Sequence, residues 1–265
     1  MQGRLSKMEN QKIQSFPSKS WKQEFVLAKK LRIKFIEWTL DYRNFLKNPI
    51  FNSNGVYEIK KLSKQNGVFV KSLTGDCFMQ KPFWKKKNHG TLILDLKKII
   101  FACSKIGIVY IVVPLVDNGS IKKLWQEKKL IKIFTGLTNL LKKNKVKIVF
   151  ESDYNPQKLK KFIENFNPNI FGINYDSGNS AFFGYSVKEE FDLYKNYIKR
   201  VHIKDRLFKG ATVRLGYGNV NFPVLFKYIR ANKFKNSLVL QTARSKNNKD
   251  TKEIQINIKY LDKWL

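Results

Sequence analysis

Cysteine, acidic residues, long apolar runs and linker-like segments are all scarce in this chain, and each shortage closes a route. Two cysteines, Cys77 and Cys103, in 265 residues cannot frame a disulfide-stapled fold. The longest apolar run, 106–116, has eleven residues and contains Gly107 and Pro114, where a membrane-spanning helix needs about 20; it reads as a buried strand. The opening MQGRLSKMENQK has no apolar core of a secretory signal, so a reducing cytosol is the expected compartment. No stretch is rich in Gly, Ser and Pro, which favours one domain over residues 1–265.

Acids number 20 against 52 Lys+Arg, a formal charge of +32. Such a balance is an electrostatic footprint for nucleic acid. Only eight of those cations are arginine, however, and the chain is rich in Lys, Asn, Ile, Phe and Tyr. An AT-rich coding sequence gives this bias, and drift is the preferred explanation.

What is present is core material: 43% hydrophobic and 14% aromatic residues exclude disorder. Short β-branched runs recur at 2–5, 33–38, 67–72, 108–113, 146–151, 170–175, 199–203 and 237–241. Segments with helical spacing lie between them, among them 91–106, 120–143, 156–166 and, least regular, 250–264. Eight strands alternating with helices call for a parallel sheet, since parallel neighbours need crossovers. The expected fold class is α/β, a (β/α)8 TIM barrel, with an open doubly wound sheet as runner-up. The first strand starts at the first residues, so either it is short or the true start lies upstream of Met1. Lysine pairs at 97–98, 122–123, 128–129, 142–143 and 160–161 fall on the outer helices as a solvated shell.

Chemistry in such a barrel sits at the C-terminal strand ends. Those ends carry Arg4, Glu37, Asp76, Asp117, Glu151, Asp176, His202 with Lys204 and Asp205, and Gln241 with Arg244. Ionised groups there need a neutralising ion or ligand. Glu151, Asp176 and His202 end three successive strands as an O,O,N set suited to one Mn, Mg, Co or Zn ion, and Gln241 closes the ring through its amide oxygen.

These residues resemble the xylose isomerase-like TIM-barrel superfamily, in its sugar phosphate isomerase/epimerase members. The resemblance runs over nearly the whole chain: MQGRLS at 1–6, IQSFP at 13–17, Ile36-Glu37-Trp38, Phe150-Glu151-Ser152, Tyr175-Asp176-Ser177-Gly178-Asn179, His202-Ile203-Lys204-Asp205 and Leu215-Gly216-Tyr217-Gly218. It implies one divalent metal on a Glu, an Asp, a His and a final Glu. The first three match Glu151, Asp176 and His202; the fourth is Gln241, an amide that cannot exchange a proton. Two-base epimerisation therefore ranks second to aldose–ketose isomerisation, in which Glu151 is both ligand and base. Glu37, Asp76 or Lys204 then carries the returning proton.

Asp205 either orients a metal ligand or caps a loop, and Asn179 either closes over substrate or belongs to a plain turn. Arg4, Arg43, Arg206, Arg214 and Arg244 fall at strand ends, where a planar fork suits phosphate or carboxylate. The expected partner is a small anionic sugar, bound by Arg4, Asn179, Asp205, Arg206, Arg214 and Arg244, with no nucleic acid and no membrane; a homo-oligomer stays open. Two alternatives stand beside this. One is a DNA-repair hydrolase resembling endonuclease IV, although two histidines, His89 and His202, are too few for its multi-zinc site. The other is a non-catalytic sugar-binding barrel, which Gln241 would suit.

Overall fold

A computed structural model describes residues 5–9, 14–234, 236–245 and 249–265. Its strands are β1 (Phe35–Leu40), β2 (Phe69–Gly75), β3 (Tyr110–Leu115), β4 (Lys147–Ser152), β5 (Phe171–Asp176), β6 (Ile198–Ile203), β7 (Asp205–Arg206), β8 (Thr212–Val213) and β9 (Leu238–Leu240). Its helices are α1 (Trp21–Lys30), α2 (Ser53–Asn66), α3 (Asp76–Gln80), α4 (Gly90–Ile106), α5 (Leu124–Gly136), α6 (Thr138–Asn144), α7 (Pro156–Ile163), α8 (Ser177–Phe183), α9 (Val187–Tyr194), α10 (Phe222–Ala231) and α11 (Asp250–Leu261). Seven strands form one parallel sheet in the order β1-β2-β3-β4-β5-β6-β9, a nearly closed barrel, and β7 and β8 pair antiparallel outside it. The strand expected at 2–5 lies, apart from Leu5, outside the described residues.

The first three strands start two residues later than the apolar runs suggest and β4 one residue later, and the helix ends explain why. In four crossovers the helix stops on a left-handed residue, Arg32, Gly67, Gly107 or Lys145. The apolar residue that follows donates its N–H back into the helix: Ile33 to Ala28 at 2.9 Å, Val68 to Ser63 at 3.2 Å, Ile108 to Cys103 at 2.9 Å and Val146 to Leu141 at 3.0 Å. This six-to-one closure satisfies a terminal carbonyl and commits the first apolar residue to the cap. The helix expected over 120–143 is divided into α5 and α6 at Leu137, directly after Gly136, where glycine weakens a helix by about 1 kcal/mol relative to alanine.

Phenylalanine fills the layer between strands and helices. Phe134, Phe150, Phe162, Phe166 and Phe171 are all buried and in mutual ring contact. Each contributes about 1.5–3 kcal/mol from burial, and together they hold β4 and β5, which carry two of the site acids. No helix among the described residues is long and apolar enough to cross a membrane.

Candidate active site

Asp176 and His202 are direct register partners on β5 and β6, so both side chains enter the barrel at one level. Glu151 on β4 completes a buried group whose donor atoms all lie within 4.8 Å of one another. His202 Nδ1 is 3.2 Å from Glu151 Oε2 and 4.0 Å from Asp176 Oδ2. Neither His202 Nδ1 nor Asp176 Oδ2 has a hydrogen bond, although both are buried. A buried polar atom left without one costs on the order of 1–3 kcal/mol. Two such atoms converging beside a carboxylate fit a divalent cation, as does the donor set of two oxygens and one imidazole.

Glu151 is fixed from two sides: Asn174 Nδ2 donates to Oε2 at 2.8 Å and Asn179 Nδ2 to Oε1 at 2.9 Å. Burial raises its pKa, but the adjacent His202 ring, then Lys204 and Asn174, outweigh this and leave it below its ordinary value. Asp176 is raised by burial, with the Glu151 charge adding and Lys204 opposing. Burial lowers His202, yet the charge and hydrogen bond of Glu37 and the nearby Glu151 carboxylate carry it up to about 10.

A cavity of about 590 Å³ opens above this group, walled by Glu151, Asn179, Lys204, Arg206 and Gln241 together with Gln14, Thr74, Asp76, Asp117, Ser120, Lys122, Asp153, Phe182 and Phe183. Lys204 Nζ lies 3.6 Å from Asp176 Oδ2 and donates to Gln241 Oε1 at 3.1 Å, while Gln241 Nε2 donates to Gln14 Oε1 at 3.2 Å. Arg206 lies 4.0 Å over the Phe182 ring and donates to Gly210 O through Nε and Nη2 and to Asn179 Oδ1 through Nη1. Three of its five N–H groups are thus occupied. A larger hollow, about 800 Å³, lies between the end of α1, the start of β1, β9 and α11 and contains none of these groups.

Several expected roles need correction. Glu37 does not reach the cavity: buried beneath His202, its Oε1 accepts from His202 Nε2 at 2.7 Å and Thr74 Oγ1 at 2.6 Å, so it cannot pass a proton to a substrate there. Asp205 caps a loop, accepting from the N–H groups of Gly216 at 2.9 Å, Gly218 at 2.9 Å and Val220 at 3.1 Å. A Cβ on Gly218 would lie 2.2 Å from Asp205 Oδ1, which accounts for the glycine. Arg214 forms a two-pronged pair with Glu253 at 2.6 and 2.8 Å. Arg244 donates to Asp250 and to Ser6 O. Both arginines therefore serve the first turn of α11 instead of a ligand. Arg43 borders a separate hollow with Asp41 and Glu9, Arg4 lies outside the described residues, and Lys122, expected on an outer helix, lies on the cavity wall 3.5 Å from Asp153.

Sequence reasoning missed Asn174 and Arg200. A signal was present in the two-residue period of a strand, which puts Asn174 on the face of Asp176 and Arg200 on the face of His202. Arg200 is buried, 3.8 Å from Glu37 Oε2.

The chain belongs to the xylose isomerase-like TIM barrel family, which matches residues 25–264. No curated protein matches it in sequence. Among solved structures, D-psicose 3-epimerase with D-tagatose from Clostridium cellulolyticum H10 has a TM-score of 0.80 at 12% identity, covering 100% of this chain and 98% of that one. A xylose isomerase domain protein from Planctomyces limnophilus has a TM-score of 0.76 at 14% identity, covering 91% and 90%. An IolI protein with a bound zinc atom has a TM-score of 0.75 at 17% identity, covering 92% and 94%. At these identities the likeness establishes the fold.

Proposed function

We propose that the chain is a divalent-metal-dependent sugar isomerase, with epimerisation as a second outcome, acting on a small anionic sugar by proton abstraction next to a carbonyl. The observation that carries this is the pair of unsatisfied donors, His202 Nδ1 and Asp176 Oδ2, beside a carboxylate on the wall of a polar cavity. Glu151, Asp176 and His202 would hold the ion, with Gln241 Oε1 as a further neutral donor. The bound ion would supply Lewis-acid stabilisation of the negative charge developing on adjacent substrate oxygens.

Glu151 takes the proton from the carbon next to the carbonyl. The C–H electron pair moves into the new carbon–carbon double bond, giving an enediolate of the sugar. Asn174 and Asn179 keep the Glu151 carboxylate aimed during this transfer. Glu151 then returns the proton to the neighbouring carbon on the same face, while Lys204 carries a proton between the two adjacent oxygens. Arg206, on the cavity wall with two N–H groups not engaged by Gly210 or Asn179, binds the phosphate or carboxylate of the sugar.

The test is solvent deuterium incorporation over a panel of sugar phosphates and sugar acids with manganese or cobalt supplied. Wild type should exchange one carbon-bound proton of its substrate. Glu151→Gln should lower turnover by about 10²–10⁴-fold, the range of a lost general base, with an unchanged near-UV circular dichroism spectrum. Full activity in that variant would remove Glu151 from the base role.

A further inference from the structure

Behind His202 lies a second charged group that the proposed reaction does not use. Glu37, Ser72, Thr74, Arg200 and His202 are each at most 3% exposed and come from β1, β2 and β6. The Oε1 of Glu37 accepts from both His202 Nε2 and Thr74 Oγ1, while its Oε2 has no hydrogen bond and faces Arg200 Nη2 at 3.8 Å. Arg200 is itself held by Ser72 Oγ at 3.1 Å and lies 5.6 Å over the Tyr110 ring. A buried carboxylate and a buried guanidinium are each costly to desolvate, and removing either partner leaves the other uncompensated.

The geometry has one consequence for the ring. With Nε2 committed to Glu37, the nitrogen turned toward Glu151 and Asp176 is Nδ1, the atom left without a hydrogen bond. A carboxylate on the far nitrogen of a ligating histidine fixes the tautomer and raises its basicity. Gln241, neutral and bonded to Lys204, brings no charge of its own.

We propose that Glu37, held by Arg200, is a positioning residue for the metal site: it fixes His202 with Nδ1 toward the two acids and supplies through the ring an anionic charge that Gln241 does not provide. This rests on the reading that Glu151, Asp176 and His202 hold a divalent ion, and the experiment separates the two. Wild type, Glu37→Gln and Glu37→Gln/Gln241→Glu are titrated calorimetrically with cobalt(II) at one fixed pH, with near-UV circular dichroism as the check on folding.

Glu37→Gln keeps an acceptor for Nε2 but loses the charge, and should bind cobalt 10–100-fold more weakly. Adding Gln241→Glu should recover at least tenfold of that loss, which a purely structural role of Glu37 would not give. Because Glu37→Gln leaves Arg200 without its counter-charge, Glu37→Gln/Arg200→Met is titrated alongside and should show the same weakening in a folded chain. Wild-type affinity in either folded variant overturns the role of Glu37 while leaving the metal reading intact. A wild-type chain that takes up no cobalt overturns both.

Discussion

Arg206 shows how one side chain can serve two parts of a site. Its guanidinium is laid on Phe182 and anchored on Gly210 O, and through Asn179 it is one bond removed from the Glu151 carboxylate. A phosphate or carboxylate bound there would be read by the same residue that steadies Asn179. Replacing it by methionine keeps stem volume but removes the charge-assisted hydrogen bonds, each worth about 1.5–3 kcal/mol. Arg206→Met should raise KM for an anionic sugar about 10–100-fold and leave KM for its uncharged counterpart within about twofold. Equal effects on both sugars in steady-state kinetics would mean that Arg206 acts only by supporting Asn179. Lysine should rescue poorly, since it lacks the fork that binds Gly210 O and Asn179 together.

At the scale of elements, β4, β5 and β6 each deliver one member of the candidate metal group because all are largely buried parallel strands ending at one level, and that much was legible from runs and strand ends. Glu37 was legible as a strand residue but not as a partner of His202, because the contact crosses the barrel between residues 165 positions apart. The roles of Arg214 and Arg244 were hidden for a similar reason: Asp250 and Glu253 open a helix whose docking no local pattern specifies. The α8–α9 pair holds another such group. Glu190 on α9 accepts hydroxyl hydrogens from Tyr175 at 3.0 Å, from Tyr194 at 2.7 Å and from Ser180 on α8. Burial raises its pKa to about 7 against the partial relief from these hydroxyls, from an ordinary 4.5. A raised carboxyl pKa means that the folded chain binds a proton that the unfolded chain has released, so between about 4.5 and 7 stability falls as pH rises. The slope is at most about 1.4 kcal/mol per pH unit. Thermal melts at pH 5 and pH 8 should therefore show Glu190→Gln gaining on wild type at the higher pH. A difference independent of pH would mean that the carboxyl titrates alike in both states.

For the whole molecule, the charge of +32 resolves into surface and site. Lys97 and Lys98 on α4, Lys128 on α5, Lys142 and Lys143 on α6 and Lys161 on α7 are exposed on helices that follow one another around the barrel. They are distributed over the outside, while the cavity mixes Lys122, Lys204 and Arg206 with Asp76, Asp117, Glu151 and Asp153. With 20 acids for 52 cations the surface charge cannot be balanced one to one, and pairs on the outer helices such as Lys188 with Asp192 at 2.8 Å and Lys160 with Glu164 at 2.8 Å are open to solvent. Exposed pairs contribute about 0–1 kcal/mol, so the net electrostatic contribution of the surface is self-repulsion of the compact state. Screening shortens from about 10 Å at 0.1 M salt to about 3 Å at 1 M, a reach shorter than the spacing between neighbouring helices, about 8–10 Å. The melting temperature should therefore rise by several degrees between 0.1 and 1 M sodium chloride, measured at a pH where Glu190 does not titrate. If it stays constant or falls, the lysines are compensated in pairs, and the charge would have to be explained by a specific polyanionic partner after all.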